Sequence, residues 1–449
     1  MLEEPTAGRD LTKGSILGNV LYMGIPSMIG FAAMTVYALT DMFWVARLGT
    51  AQVAAITLFG SFLWVLTSIN SLVGSGSVAV ISRRFGERDY DGAACAIEQT
   101  ILMKVAVAIP MSIIGYFAVG NVLGFMTDDA EVVAYGMTYG RILFLGLPFM
   151  FSSYSVYTAL RGMGEAPRAM YIMLFSTSLN IALDPLFIFR FNLGIAGAAT
   201  ATVISAVCAV AVGLYTLRSP RRVARIGEKG LRIDLRTMSR ILQIGFPPFI
   251  ESVARSLAHW VFAIFVAVFG TLIVASYGIC MRIIEFGIVF AVGLELGASA
   301  IVGQNLGAHK PDRAEASARN AAFLALAIAV TLSVIEVLFA EEIMMLFGRS
   351  DEVRVMGAHV LRYFAVAQPL IATSIALSSA FYGSGKTWPP TIGELVATWA
   401  FQIPVAALLI YTLGRGADSM WTAVILSKTL FFSILVLWYR KGTWKEEKV

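Results

Sequence analysis

Two aspartates stand where the surrounding sequence is apolar. Asp41 lies in Tyr37-Ala38-Leu39-Thr40-Asp41-Met42-Phe43-Trp44, and Asp184 in Leu179-Asn180-Ile181-Ala182-Leu183-Asp184-Pro185. A carboxylate at bilayer depth costs about 2.5–3.5 kcal/mol, so such a group faces a cavity or a partner. Tyr37 precedes Asp41 by one helical turn on the same face, and its hydroxyl is in position to hydrogen-bond the carboxyl group. Asn180 and Asp184 share a face in the same way. Pro185 has no N–H to donate and its ring displaces the carbonyl of Ile181, which leaves an extra oxygen beside Asp184. Thr202, in Ala199-Thr200-Ala201-Thr202, adds a hydroxyl. Two carboxylates, an amide, a hydroxyl and a freed carbonyl suit a small hard cation, which takes oxygen ligands. The same acids suit a proton, because neighbouring carboxyls titrate as a pair. The opposing expectation is structural: Asp41 and Asp184 pair with a basic residue such as Arg141 and only hold helices together.

The second half of the chain carries a different polar face. Glu251, Arg255 and His259 follow one another at helical spacing, and Arg282, Glu285 and Glu295 lie on the next apolar segment. Two readings stay open: a closed ion-pair network joining two helices, or a patch that responds to substrate or protons, with His259 as its titratable member. Glu394 and Lys104 are expected to snorkel or to face a cavity, with no role assigned. Nineteen Met and 29 Phe residues suit promiscuous apolar pockets, although most serve as core or lipid-facing surface.

The elements that must position these groups come from a duplication. Gly24-Ile25-Pro26 and Gly245-Phe246-Pro247 stand 221 residues apart. The same offset relates Gly49 to Gly270, Gly76 to Gly297, Gly86 to Gly307, Ala93 to Ala314, Pro148 to Pro369, Gly162 to Gly383 and Gly164 to Gly385. Glycines and prolines mark helix ends and close backbone contacts, so their spacing preserves a fold. Of the 449 residues 58% are hydrophobic and 14% charged, against about 25% charged in a soluble domain. Apolar runs long enough to span a bilayer recur along the chain. They predict spans at 16–46, 51–82, 94–123, 130–159, 167–190 and 195–217, then at 238–269, 272–303, 314–341, 352–381, 388–411 and 419–439. The expected organisation is a tail over 1–15, an N-lobe over 16–217, a linker over 218–236, a C-lobe over 237–440 and a tail over 441–449. Six spans per half is an even number, so the two repeats share one orientation.

The net charge of +5 does not point to nucleic acid, because its basic residues cluster at alternate loops in the positive-inside pattern. Arg83, Arg84 and Arg88, Arg161 and Arg168, and His309, Lys310 and Arg313 mark one face. The linker adds Arg218, Arg221, Arg222, Arg225, Lys229, Arg232, Arg236 and Arg240, and the tail adds Arg440, Lys441, Lys445 and Lys448. Both termini are expected in the cytoplasm, and no cleaved signal peptide is read in Met1 to Ser15. Cys95, Cys208 and Cys280 have no paired spacing and read as buried thiols. Ala380 to Thr387 resembles a relaxed phosphate-binding loop, but the segment before it is a span rather than a strand and Trp388-Pro389-Pro390 follows. A duplicated membrane bundle is typically a transporter, and with no nucleotide site its transport is expected to run on an ion gradient. The duplication also predicts where. The position matching Asp41 is Phe262, and Ala400-Phe401-Gln402-Ile403-Pro404 matches Asn180 to Asp184 without an acid. The ion site is expected in the first half alone.

The segment Asp10 to Ser15 followed by Gly24-Ile25-Pro26, the run Gly303-Gln304-Asn305-Leu306-Gly307-Ala308 and the two-times-six layout resemble the multidrug and toxic compound extrusion (MATE) transporters over nearly the whole chain. Tyr37, Asp41, Tyr139, Asn180, Asp184 and Thr202 together resemble the archaeal and DinF-like branch. The resemblance implies an all-α membrane protein, two pseudo-symmetric six-helix lobes around a V-shaped central cleft, and an N-lobe cation site at Asp41, Asn180, Asp184 and Thr202. Tyr37 and Tyr139 join its hydrogen bonds. A family asparagine of the N-lobe pocket is replaced by Tyr157. The implied activity is export of cationic and amphipathic compounds in exchange for protons or sodium ions. It needs no cofactor, nucleotide or nucleic acid, and is carried out by a monomer in the inner or plasma membrane. The alternatives are a lipid-linked precursor flippase of the wider superfamily, an intramembrane enzyme, for which no paired metal ligands are found, and an uncoupled channel.

Overall fold

A computed structural model describes residues 8–219, 223–227, 232–347, 350–447 and 449. Arg221, Arg222, Lys229 and Lys448, four of the basic residues assigned to one membrane face, lie outside the described residues, as do residues 1–7 of the tail. Among the described residues there is no strand. The first half contains α1 (Ile16–Ala46), α2 (Thr50–Gly86), α3 (Tyr90–Met126), α4 (Ala130–Gly162), α5 (Ala166–Arg190) and α6 (Ile195–Leu217). The second contains α7 (Leu235–Ala267), α8 (Thr271–Gly307), α9 (Pro311–Leu338), α10 (Asp351–Ser384), α11 (Trp388–Thr412) and α12 (Asp418–Lys441), with a short helix at Ala340–Met345. Among the described residues, eleven helices are long and apolar enough to cross a membrane. Helix α2 makes twelve when Thr50–Leu63 and Leu66–Gly86 count as one bent span.

The duplication is visible in the backbone itself. Arg88 and His309 are two of the few non-glycine residues with positive φ, at 63° and 56°. They close the same turn: Asp89 N donates to Arg84 O at 2.9 Å, and Lys310 N donates to Asn305 O at 2.8 Å. Pro148 and Pro369 interrupt α4 and α10. In both, a hydroxyl one turn later donates to the proline carbonyl, from Ser152 at 2.7 Å and from Thr373 at 2.6 Å. The ends of α5 and α11 both widen into π-turns, with Phe191 N donating to Leu186 O at 3.0 Å and Leu413 N to Leu408 O at 3.1 Å.

The two compact units do not divide at the linker. One is Ile29–Gly245 with the chain up to Leu11; the other is Thr12–Met28 with Phe246–Val449. The breaks fall inside α1 and α7, just after Pro26 and just before Pro247, rather than at the lobe boundaries expected from the linker. Each half's opening helix begins in the other unit. Glycine makes that possible. A Cβ on Gly245 would stand 1.7 Å from Leu72 O, and one on Gly76 would stand 2.0 Å from Ile241 O, so the first turns of α7 lie backbone against backbone on α2. In the second unit a Cβ on Gly297 would stand 2.9 Å from Met23 C, and one on Gly293 would stand 2.6 Å from Met28 N. The recurrent Gly76, Gly245 and Gly297 are therefore helix-crossing points, where small residues let main chains approach.

Side chains at the turns fasten both exchanged segments. Arg84 donates to Thr237 Oγ1 at 2.8 Å, and Gln99 Nε2 donates to Arg232 O at 2.7 Å. In the second unit Lys310 Nζ donates to Thr12 O at 2.9 Å and Arg313 Nη2 to Gly14 O at 3.1 Å. The Asp234 carboxylate accepts from the Thr237 hydroxyl at 2.6 Å and from the Thr237 backbone N–H at 3.2 Å, which holds its pKa below the usual carboxylate value. A lowered folded-state pKa contributes stability above the unfolded value, and that contribution is lost as pH falls through the lowered range.

Gly245→Ala should lower the melting temperature of the purified protein, because the added methyl meets a backbone carbonyl that cannot move aside; overpacking of this kind costs about 1–3 kcal/mol. Gly60→Ala, on the same α2 with nothing within 4 Å of its added Cβ, should be neutral or stabilising, since alanine is favoured over glycine in a helix by about 1 kcal/mol.

Candidate ion-coupling site and a second polar network

The first unit brings Tyr37 and Asp41 of α1, Asn180 and Asp184 of α5 and Thr202 of α6 into one group. Asp184 is 0% exposed and Asp41 is 6% exposed. Thr202 Oγ1 is the hub: it shares a 3.0 Å hydrogen bond with the Tyr37 hydroxyl and accepts from Asn180 Nδ2 at 3.3 Å. Tyr37 therefore spends its hydroxyl on Thr202 and not on Asp41, contrary to the one-turn spacing argument. Asp41 Oδ1 is buried with no hydrogen-bond partner. The charge of Asp41 acts on Asp184, and both act on the hydroxyls of Tyr37 and Tyr139. Tyr139, buried on α4, packs edge-on against Phe59 at 5.6 Å. Arg141 does not lock the acids; its guanidinium lies over the Tyr116 ring at 5.3 Å.

Tyr157 is not part of this group. It sits 6.2 Å from the Tyr154 ring, and the charge that acts on it is that of Arg161. It stands one turn before Arg161 on α4, while the acids lie at the ends of α1 and α5 farthest from the α4–α5 turn. Pro185 does not end α5, which runs on through the π-turn to Arg190.

The polar face of the second unit is larger than its sequence spacing and differently composed. Glu251 pairs with Arg255 one turn on. Its other oxygen accepts from Tyr382 on α10 at 3.0 Å and from Thr391 on α11 at 3.4 Å. Glu394 does not snorkel: it is 5% exposed, accepts from Thr398 at 2.9 Å and pairs with Lys428 of α12 at 3.0 Å. Arg255 and Glu394 also act on one another, and His259 lies within the field of Arg255, Lys428 and Glu394. Arg282 and Glu285 do not join. They pair with each other at 3.4 Å on exposed side chains. The network thus links α7 to α10, α11 and α12, and Glu295 of α8 acts on its Tyr382. Lys428 was legible as a lone lysine inside an apolar run, but nothing in the spacing tied it to Glu394.

Lys386 of the loop-like segment donates to Thr443 O at 3.3 Å, and Gly385 is a left-handed helix cap with φ 85°. No cluster of three or more His, Cys, Asp or Glu able to hold a metal occurs among the described residues. The donors near Asp41 are oxygens from acids, amide and hydroxyl, a set suited to a proton or a sodium ion.

Apolar spans in a duplicated bundle, with two buried aspartates in the first half, define a multi-pass secondary transporter and not an enzyme. A MatE profile matches the chain twice, over residues 26–186 and 247–408, and the chain belongs to this family of multidrug efflux transporters. It is 26% identical over 455 residues to the probable multidrug resistance protein YoeA of Bacillus subtilis, covering 100% of this chain and 98% of that one. It is 26% identical over 299 residues to the multidrug export protein MepA of Staphylococcus aureus, covering 66% of each. Among solved structures it resembles a MOP-superfamily transporter from Pyrococcus furiosus whose binding pocket is described as reversed in polarity, with a TM-score of 0.92, 25% identity and 99% and 100% of the two chains covered. An outward-facing multidrug resistance MATE transporter matches at a TM-score of 0.91, with the same identity and coverage.

Lys428→Met should destabilise the protein by about 3 kcal/mol, because breaking one side of a buried pair leaves Glu394 uncompensated. Glu394→Gln combined with Lys428→Met should recover most of the loss. Melting of the two purified variants beside wild type checks this.

Proposed function

We propose that this protein is a cation-coupled antiporter that exports cationic or amphipathic small molecules by alternating access. The coupling ion is a proton or a sodium ion, taken by Asp41 and Asp184 with Asn180 and Thr202. One observation carries the reading: the buried acids sit on α1 and α5 of one half, and α1 belongs to both compact units. The multidrug relatives support the substrate class, and with the two-acid site they favour cation export over flipping of lipid-linked precursors. The setting is the plasma or inner membrane, with both termini in the cytoplasm and the protein acting as a monomer.

In the proposed cycle an ion from outside occupies the acid group. Its charge cancels the mutual repulsion of the two carboxylates. The stretch of α1 around Asp41 then packs differently against α5 and α6, using the Tyr37–Thr202–Asn180 bonds as its guide. The N-lobe pocket collapses and bound drug leaves outward. The movement flexes α1 near Met28 and Ile29, next to Pro26, where its carbonyl ladder is already interrupted. The ion drives the cycle only by binding one arrangement more tightly than the other, since equal affinity shifts nothing. One charge crossing 100 mV supplies about 2.3 kcal/mol.

Asp41→Asn and Asp184→Asn should each abolish drug resistance at unchanged expression. In proteoliposomes, ethidium efflux should follow an imposed pH gradient or an imposed sodium gradient, and either variant should lose that response. Near-normal coupled efflux by both variants would refute the assigned site.

A further inference from the structure

Glu336 of α9 is a buried carboxyl outside both the Asp41 group and the Glu251 network. It is 5% exposed and accepts a hydrogen bond from the Gln368 side chain of α10. The Gln368 amide oxygen in turn accepts from the hydroxyl of Ser333, one turn before Glu336, at 3.4 Å. Gln368 Nε2 lies against α8 at Gly287, where a Cβ would stand 2.0 Å away. The bonds therefore run from hydroxyl to amide to carboxyl, and the carboxyl is the last acceptor. Helix α8 also brings the buried Cys280, on which the Glu336 charge acts and whose thiol donates to Gly357 O at 3.2 Å.

The repeat shows what these groups replace. The 221-residue register holds here: Leu123 Cδ1 would meet a Cβ on Gly136 at 2.5 Å, and Met344 Cε would meet one on Gly357 at 2.0 Å. In the first unit the Phe144 ring lies on Gly115, 2.1 Å from where a Cβ would stand. It packs edge-on against Phe59 at 5.8 Å, with Leu147 in the same apolar core. In the second unit Phe144 becomes Ala365 and Gly115 becomes Glu336, so a carboxyl side chain stands in for a ring. Leu147 becomes Gln368, and Leu66 becomes the Gly287 that makes room for its amide. Filling this contact takes only apolar side chains, as the first unit demonstrates. The second unit spends the same space on a carboxyl and its hydrogen-bond donor.

The groups that face Glu336 are Cys280 from α8, Ser333 from its own helix and Gln368 from α10. A thiol, a hydroxyl and an amide do not cancel a charge. The charged side chains that α10 and the short helix carry at this end are engaged elsewhere. Arg354 pairs with Asp351 at 3.3 Å, Arg362 with Glu341 at 3.7 Å and His359 with Asp418 at 2.8 Å. A carboxyl held in apolar packing without a counter-charge is less costly when neutral. A sodium ion needs several oxygens turned toward it. Gln368 turns its N–H to Glu336 and its oxygen to Ser333, an arrangement that suits a proton instead.

We propose that Glu336 is a proton-binding carboxyl of the second unit, seated on Gln368 and Ser333 and separate from the Asp41 and Asp184 group. Gln368 immediately precedes Pro369, so gain or loss of this proton is felt at the proline interruption of α10.

The test is infrared difference spectroscopy of the full-length protein in detergent at neutral pH, exchanged from water into deuterium oxide. Wild type should show a carboxylic-acid carbonyl band that moves to lower frequency on exchange. Glu336→Gln should lack that band. Gln368→Leu, which places the first unit's residue at this position, should keep the band at a higher frequency, because the carbonyl loses its hydrogen bond; it decides the matter if Glu336→Gln does not fold. The band is read without drug or ion gradient and should persist in Asp41→Asn, so it stands or falls apart from the antiport reading. The proposal is overturned if Glu336→Gln retains every acid band of wild type, or if Gln368→Leu leaves them all unmoved.

Discussion

A carboxylate that water does not reach must be neutralised, and the first unit buries two of them on neighbouring helices. Asp184 is 0% exposed, and Asp41 is buried with one oxygen lacking a partner. Arg141, the basic residue expected to pair with them, faces Tyr116 instead. In the proposed cycle the charge balance of this unit depends on what occupies the acids. The hydroxyl and amide hub at Thr202 holds three helices around that point at fixed hydrogen-bond distances, so a change in occupancy is felt by α1, α5 and α6 together.

In the proposed cycle the exchange of helix beginnings gives that local event a lever. Helix α1 carries Asp41 in one unit, while its first turns are counted with the other. Those first turns are fixed by main-chain crossings at Gly24, Gly293 and Gly297 and by Lys310 and Arg313 holding Thr12 and Gly14. Helix α7 repeats the arrangement through Gly76, Gly245 and the Arg84–Thr237 bond, but carries Phe262 where α1 carries Asp41. Two equivalent levers exist, and one of them holds the acid. The second unit instead closes its charges on themselves. There Glu251 with Arg255 and Glu394 with Lys428 balance in sign, while the buried Glu336 lies apart, beside Gln368.

The duplication, the spans and the acid group were legible because glycine, proline and intramembrane charge have few structural uses. The spacing of Gly76 and Gly297 announced a preserved contact, but not that the partner was the other half's opening helix, since sequence offset says nothing about exchange between units. Tyr37 was assigned to Asp41 on helical periodicity; a hydroxyl on a neighbouring helix won, and periodicity sees one helix at a time. For the same reason Arg282 and Glu285 were grouped with Glu251 by proximity along the chain, while Tyr382, Thr391, Glu394 and Lys428 arrived from distant helices. Lys104 was expected to snorkel or to face a cavity, and it is buried at 1% exposure.

The central claim is that ion and drug compete through Asp41 and Asp184. It is tested most directly by adding ethidium to purified protein in weakly buffered detergent solution while recording proton release, with displacement of bound radioactive sodium followed in parallel. The account predicts that drug binding releases one of the two ions from wild type and releases neither from Asp41→Asn or Asp184→Asn. Equal release from wild type and from both variants would contradict it.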